Sequence, residues 1–421
     1  MGILREEEYM ALTSRIKFPR GFDRDLKLVL ASLACRRVVM GFLEVVRAIY
    51  FAFLGLSPAQ IGILFMIPIA LGAVRSILFG LLADRYGSKI FIVIGNVFST
   101  LRLVIYIFSK EYWMLALAQA IGAFGEGGGP GQPSVSALIT DKTSPEVRTH
   151  VFSTLAFTNA AAATLGSMMA GLPVLFEKKL NIGTISSYGL LFWIGVIFSS
   201  LATFLVIPIK EKRSKEEMGR KARGLLPKKS WGVIGKFSLV RCIGGLGFGM
   251  ISPLLPLYFY MKFSTGPEIL GPFYAVSRFI SMFSYLFIDK IVSIMGEVGS
   301  IVMSRLVSLV GILLLPIAPN YYVGGALIVL FRTILLFTMP VRQSFITLIV
   351  DPSESASAVG ISNTARMAVR SVAPAIAGYM FEGISLNLPF FLGGMLVGLN
   401  ALLYHVFFGR KEVSSSRTNN S

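Results

Sequence analysis

Long apolar stretches separated by short polar ones run through most of this chain. Residues 61–82 contain one charged side chain, Arg75, and residues 90–108 contain one, Arg102. Each stretch is close to the roughly 20 residues that cross a bilayer core as a helix, whereas membrane strands would alternate over about 10 residues. Twelve such candidate spans, numbered 1 to 12 here, begin near residues 28, 58, 89, 112, 147, 186, 232, 267, 297, 321, 354 and 386. We therefore expect an all-α integral membrane protein.

Composition and the placement of charge support this expectation. Of 421 residues, 54% are hydrophobic and 15% are charged, and the mean hydropathy is +0.71. The net charge of +18 is concentrated before span 1 and between spans 6 and 7. By the positive-inside rule, we expect both termini and this central loop on the cytoplasmic side of a cell membrane, either inner or plasma membrane. The basic residues then face the lipid bilayer and not nucleic acid.

These boundaries divide the chain into five regions. The two largest are six-helix halves, and the other three are polar segments outside the bilayer. The regions are residues 1–26 (N-terminal cytoplasmic segment), 27–209 (N-terminal half), 210–230 (basic cytoplasmic linker), 231–408 (C-terminal half) and 409–421 (cytoplasmic tail).

The two halves resemble each other at a spacing of about 205 to 210 residues. The corresponding pairs, in chain order, are Asp84 and Asp289, Arg102 and Arg305, Tyr112 and Tyr321, Asp141 and Asp351, and Ala170 and Ala377. Six spans, a polar linker and six further spans of the same orientation form the parallel-repeat plan in which two halves pack around a central site. The repeat therefore predicts alternating access.

A short charged turn joins spans 2 and 3. It has the spacing Gly-x-x-x-Asp-Arg-x-Gly-x-Lys and consists of Gly80, Asp84, Arg85, Gly87 and Lys89. A second copy between spans 8 and 9 keeps Asp289 and Lys290 without the leading glycine. Together with the twelve spans, the duplication and the basic central loop, this turn resembles the major facilitator superfamily (MFS) of secondary transporters. The resemblance implies the MFS fold, two six-helix repeats around a central cavity.

In that family the turn acts at the cytoplasmic gate, which implies roles for its residues here. Gly80 would let span 2 approach a neighbouring helix, and Gly87 would allow the tight reversal of the chain. Asp84 would meet the positive N-terminal end of span 11, near residues 351–358, and keep the cytoplasmic side closed. Span 5 lacks the proline that many antiporters of the family carry there, so the choice between antiporter and symporter stays open.

Several ionisable residues lie deep within the spans, where each costs at least about 2.5 to 3.5 kcal/mol on insertion scales. They are Glu44 and Arg47 on span 1, Glu126 on span 4, Arg278 on span 8, Arg332 on span 10, and Arg366 and Arg370 on span 11. Arg366 and Arg370 share a helix face, where two guanidinium groups need an anion or a glutamate between them. We expect Arg332, Arg366 and Arg370 to contact substrate.

Other arginines are expected to have structural roles. They are Arg36, Arg37, Arg75 and Arg241, in the cytoplasmic third of their spans, and Arg102 and Arg305, which repeat on spans 3 and 9. Snorkelling to the interface, or pairing with Glu44 and Glu126, would account for them.

Glu126 is the first candidate for proton coupling and Glu44 is the second. Glu126 lies in a run of five glycines and one proline that must loosen span 4, and broken helices mark binding sites in transporters. Burial and a nearby arginine move the pKa of a carboxylate in opposite directions, so such a residue could exchange a proton near neutral pH. A permanent salt bridge is the alternative.

The expected function is secondary active transport of a small solute by alternating access, with a proton as the coupling ion. The arginine excess favours an organic or phosphorylated anion, since guanidinium pairs bidentately with carboxylate and phosphate. The first alternative is a multidrug-type proton antiporter for efflux of amphipathic or cationic compounds, and the second is a membrane receptor or lipid flippase. Without a metal-spaced cluster or a phosphate-binding loop, we expect no enzyme activity, cofactor or metal. We expect a monomer.

Overall fold

The computed structural model describes residues 23–86, 88–125, 143, 145–209, 229–284, 287–351 and 354–418. Within these ranges, residues 76–86, 88, 145–150, 284, 289, 343, 344, 347, 355, 356 and 410–418 are described by their backbone alone. All regular structure in the described ranges is helical, which confirms the predicted all-α class. The predicted linker, apart from residues 229 and 230, and residues 1–22 lie outside the described residues, so the five-region division stays a prediction.

In the ranges that the structure describes, seven α-helices precede the linker and nine follow it. The first seven are α1 (Arg24–Phe53), α2 (Pro58–Tyr86), α3 (Ser88–Phe108), α4 (Tyr112–Gly125), α5 (Pro145–Met169), α6 (Leu172–Leu180) and α7 (Thr184–Val206). The others are α8 (Trp231–Ile251), α9 (Leu255–Phe263), α10 (Pro267–Ser284), α11 (Ile288–Leu314), α12 (Tyr321–Phe337), α13 (Met339–Ile349), α14 (Ser355–Ser371), α15 (Ala373–Gly383) and α16 (Leu388–Thr418).

Proline explains why there are more helices than predicted spans. Pro173, Pro256, Pro340 and Pro374 each occupy the second residue of a helix that follows a short break. Proline lacks a backbone N–H and disfavours a helical preceding residue, so it starts a helix more easily than it continues one. Joining α5 to α6, α8 to α9, α12 to α13 and α14 to α15 gives twelve segments, which is consistent with the twelve predicted spans.

Length and hydropathy alone identify seven membrane-spanning candidates among the described residues. They are Pro58–Arg75, Lys89–Phe108, Val151–Leu180, Thr184–Val206, Trp231–Phe263, Lys290–Ile317 and Leu388–Gly409. The charged helices α1 and α10 are outside this set because their intramembrane charges make them less apolar, and α14, with 17 residues, is too short. One boundary also differs from the prediction: α11 begins at residue 288 rather than near 297, since the polar first turns precede a break at Gly296 (φ 71°).

The buried apolar residues show how the two halves meet. One cluster crosses between the halves and includes Tyr50 and Leu64 from the N-terminal half and Leu255, Tyr274 and Phe381 from the C-terminal half. Two further clusters lie apart from it. One contains the starts of α1, α3 and α5, and the other contains the start of α8 with parts of α13 and α16. Among the described residues, the halves thus share one core at one end of the bundle, called the closed end here, and have separate cores at the other.

Close backbone packing seals the closed end. A Cβ added at Gly62 on α2 would collide with the carbonyl oxygen of Pro374, and one at Gly378 on α15 would collide with that of Pro58. Next to this crossing, the side chain of Glu382 accepts a hydrogen bond of 3.0 Å from the backbone N–H of Ala59. Helices α2 and α15 therefore approach closely only because both positions are glycine.

Candidate functional site

A buried ion-pair cluster joins the two halves near the middle of the bundle. Glu44 on α1 accepts a hydrogen bond from Nη2 of Arg332 on α12 at 2.8 Å, and its second oxygen accepts one from Arg278 on α10. The side chains of Arg278 and Arg332 are 13% and 10% exposed, and that of Glu44 is 35% exposed. One carboxylate of the N-terminal half thus holds two guanidinium groups of the C-terminal half.

Two further contacts fix this cluster. The Arg332 guanidinium carbon lies 3.9 Å from the ring centre of the fully buried Tyr274, a cation–π geometry. Arg278 also donates to the backbone carbonyl of Ala163 on α5 at 2.7 Å. Glu44, Tyr274, Arg278 and Arg332 are called the interdomain cluster below, since a relative movement of the halves must strain or break its bonds.

A cavity of about 310 Å³ opens beside this cluster and extends into the C-terminal half. Its described lining contains one carboxylate, Glu44, and six arginines. The arginines are Arg241, Arg305, Arg332, Arg342, Arg366 and Arg370. Polar and aromatic residues, including Asn363, Asn400, Phe248 and Tyr404, complete the wall. The lining is therefore strongly cationic and has the size of a small-molecule site.

Arg366 and Arg370 lie where α14 packs against α8. A Cβ added at Gly245 would be 2.9 Å from Cγ of Arg366, and one at Gly249 would be 2.9 Å from Cγ of Arg370. The two glycines leave the groove that both arginine stems occupy. Among the described residues, neither guanidinium has a carboxylate within 4 Å, and the buried Nε of each has no hydrogen-bond partner.

Arg241 and Arg305, for which the sequence predicted structural roles, also line the cavity. Arg241 donates to Asn363 Oδ1 at 2.8 Å and to the Ser362 hydroxyl at 3.3 Å. Arg305 is 5% exposed, its guanidinium carbon lies 4.8 Å from the Phe248 ring centre, and its Nε and Nη1 have no partner. The sequence identified both as charged residues within membrane spans, but their positions along the chain did not show that they line one cavity.

The remaining predicted site residues lie elsewhere. Arg47 faces its own half, where it donates to Gln119 Oε1 at 3.2 Å and lies 4.6 Å from the Phe65 ring centre. Glu126 lies outside the described residues. Of the predicted gating residues, Gly87 lies outside the described residues. Gly80, Asp84, Arg85 and Asp289 are described by their backbone alone. Lys290 is exposed, and Lys89 Nζ donates to the carbonyl of Ile207 at the end of α7 at 2.6 Å.

Comparison with known proteins gives the family. The model of the Major Facilitator Superfamily matches residues 29–374. Quinolone resistance protein NorA of Staphylococcus aureus is 22% identical over 371 residues, which cover 86% of this chain and 92% of NorA. A mutant of the nucleoside transporter NupG superposes with a TM-score of 0.74 at 14% identity, covering 92% of this chain and all of that one.

The human organic anion transporter MFSD10 (TETRAN) superposes with a TM-score of 0.62 at 14% identity, again over 92% of this chain and all of the other. At these identities, the solved structures establish the fold. The family match, which extends over most of the chain, establishes more: the protein is a multi-pass membrane transporter, not an enzyme, and belongs to the major facilitator superfamily.

Proposed function

We propose that this protein is a secondary active transporter that moves a small organic or phosphorylated anion by alternating access, with a proton as the coupling ion. The observation that carries this proposal is the cavity lining, six arginines against one glutamate. Guanidinium groups in a desolvated site favour carboxylate or phosphate and repel cations. The similarity of fold to an organic anion transporter agrees with this choice.

The contacts between the halves support alternating access. The halves share an apolar core at the closed end, and the described cores at the other end are separate. If both termini are cytoplasmic, as the basic residues predict, the closed end faces outward and the cavity opens inward. Opening the closed end would require the crossing of α2 and α15 to separate and the bonds of Glu44 to rearrange.

The interdomain cluster supplies a route for proton coupling. A proton on Glu44 would neutralise the carboxylate that holds Arg278 and Arg332, and both guanidinium groups would then favour a substrate anion. Glu126 remains the other candidate from the sequence. In either case, the monomer in a plasma or inner membrane would be the working unit.

Export of amphipathic or cationic drugs is the second candidate function, favoured by the sequence similarity to NorA. Apolar lining residues such as Phe331, Leu335 and Met339 would suit such compounds. In that case Glu44 would attract the cation, and the arginines would only brace the bundle.

Flux through proteoliposomes tests the proposal. Purified protein would be assayed with radiolabelled aromatic carboxylates, phosphate esters and lipophilic cations at two pH values. We expect anion uptake that falls at least about 10-fold in Arg370→Gln and is unchanged in Lys178→Gln, an exposed control. Transport of cations alone, with Arg370→Gln fully active, would sink the anion proposal. Glu44→Gln and Glu126→Gln then identify the coupling residue, since its variant keeps anion exchange at equal pH but loses uptake driven by a pH gradient.

A further inference from the structure

Three arginines in the inner part of the cavity lie close together and come from three different helices. Arg241 is on α8, Arg305 on α11 and Arg366 on α14, and they are called the arginine triad here. Arg305 is close enough to interact electrostatically with both Arg241 and Arg366, and Arg366 also interacts with Arg241. The three side chains thus repel one another across a common space.

Protein groups do not offset this charge in the part of the chain that the structure describes. None of the three guanidinium groups has a carboxylate within 4 Å. Their neighbours Asn363, Asn400 and Tyr404 are uncharged, and Arg342 and Arg370 add further positive charge beside Arg366. Arg305 is nine-tenths buried with two unsatisfied nitrogens, and Arg366 has an unsatisfied Nε. Burial of unpaired charge is costly, so a site of this kind gains stability when an anion enters it.

The arrangement of the triad favours one kind of anion. A carboxylate accepts hydrogen bonds in a single plane, which suits one guanidinium fork. Three guanidinium groups that reach one cavity from three helices can each bond a different oxygen, which suits a tetrahedral group with three acceptor oxygens. A dianion also offsets more of the triad's charge than a monoanion does.

We infer that the arginine triad is a subsite for the phosphate group of a phosphorylated organic substrate. The organic part would lie against Phe248 and the apolar residues of α12, towards the interdomain cluster. This inference rests on the proposed anion transport, because it assigns one chemical group of the cargo to one part of the same cavity.

Three ligands with one aromatic ring separate charge from shape. Phenyl phosphate is a tetrahedral dianion at pH 8, because the second pKa of a phosphate ester is about 6. Benzenesulfonate is a tetrahedral monoanion, and benzoate is a planar monoanion. Isothermal titration of the full-length protein in detergent should give a dissociation constant for phenyl phosphate about 10-fold below those of the other two.

Variants of the triad complete the test. Arg305→Gln and Arg366→Gln should each raise the phenyl phosphate constant about 10-fold or more and remove the preference over benzoate. Arg305→Lys keeps the charge without the fork and should be intermediate. Arg36→Gln, on the first helix of the other half and outside the cavity lining, should match the wild type. Thermal melting confirms that each variant is folded.

The failures are distinguishable. If phenyl phosphate and benzoate bind equally well and the triad variants change neither, the subsite is wrong while anion transport stands. If no anion binds and none enters proteoliposomes, the proposed function fails and this inference fails with it.

Discussion

The N-terminal and C-terminal halves each carry two intramembrane arginines in different surroundings. Arg102 on α3 corresponds to Arg305 on α11, and Arg36 and Arg241 each lie on the first helix of their half. In the N-terminal half, Arg36 donates to Asn96 at 3.3 Å, and the fully buried Arg102 packs against Gly122 and lies 3.8 Å from the sulfur of Met40. In the C-terminal half, both arginines line the cavity.

The first helix of each half is packed differently. Helix α1 has Val39 and Met40 one turn after Arg36, and α8 has Gly244 and Gly245 one turn after Arg241. Val39 is fully buried and Met40 contacts Arg102, so the N-terminal side chains fill their space. The glycines instead leave room for Arg366 and the cavity. The duplicated scaffold is thus packed around its arginines in one half and lines a cavity with them in the other.

Glu44→Gln should give the largest effect, because Glu44 is the carboxylate that the packed half contributes to the cavity. Arg278 and Arg332 would stay buried without a counter-charge, and breaking a buried pair of this kind costs about 3 kcal/mol. We expect a lower melting temperature and loss of the anion uptake that a pH gradient drives, measured against Glu111→Gln, an exposed carboxylate. Wild-type melting and flux in Glu44→Gln would mean that the ion pair is not needed to join the halves.

Arg102→Gln and Arg305→Gln should have opposite effects, since the same residue has different surroundings in the two halves. Loss of the Arg102 side chain leaves a buried void beside Gly122 and should lower the free energy of unfolding by about 2 kcal/mol. The protein that still folds should transport at the normal rate. Loss of Arg305 removes repulsion from Arg241 and Arg366, so melting should be unchanged or higher while anion uptake falls about 10-fold. Equal melting losses in both variants would contradict the comparison.

Gly245→Ala tests whether the missing side chain makes the cavity. The added methyl would lie 2.9 Å from Cγ of Arg366 and 3.2 Å from its carbonyl oxygen, so α14 must shift and Arg366 with it. We expect anion uptake to fall about 3-fold to 10-fold, since small misplacements of a binding group weaken charge-assisted bonds. Gly235→Ala on the same helix has open space and should retain uptake, with a stability gain of up to about 1 kcal/mol. Full activity of Gly245→Ala would show that the groove tolerates a side chain.

The fold follows from the sequence more completely than the site does. Apolar length predicts the segments because a bilayer imposes one length on every helix. The cost of intramembrane charge identified Glu44, Arg278, Arg332, Arg366 and Arg370, which the structure brings to the cavity or its edge. The same cost could not show that Arg47 lies away from the cavity. Arg47 is three residues from Glu44 on α1, yet it contacts Gln119 in its own half, because residues three apart on a helix can have different neighbours. The glycines that open the cavity became meaningful only against the helix they face.

The smallest effect is expected at the closed end, where the two halves touch through Glu382 and Ala59. Hydrogen bonds from Ser57 and from the backbone N–H of Ala59 lower the pKa of Glu382. Because this pKa is lowered, the ionised carboxylate stabilises the contact at every pH above the ordinary glutamate pKa of about 4.3. This stabilisation is lost as pH falls through the lowered value, so the strength of the contact should be constant from pH 5 to 8.

The variant Glu382→Gln should weaken this contact at every pH, because a neutral amide is a poorer acceptor at the N-terminus of α2. Cysteines at Gln60 and Tyr379, on either side of the crossing, should then react slightly faster with a membrane-impermeant maleimide, while Glu111→Gln leaves the rate unchanged. The thiolate fraction of each cysteine rises with pH in both proteins alike, so the rates are compared as a ratio. A ratio of Glu382→Gln to the parent protein that changes between pH 6 and 8 would show that a group other than Glu382 controls this end.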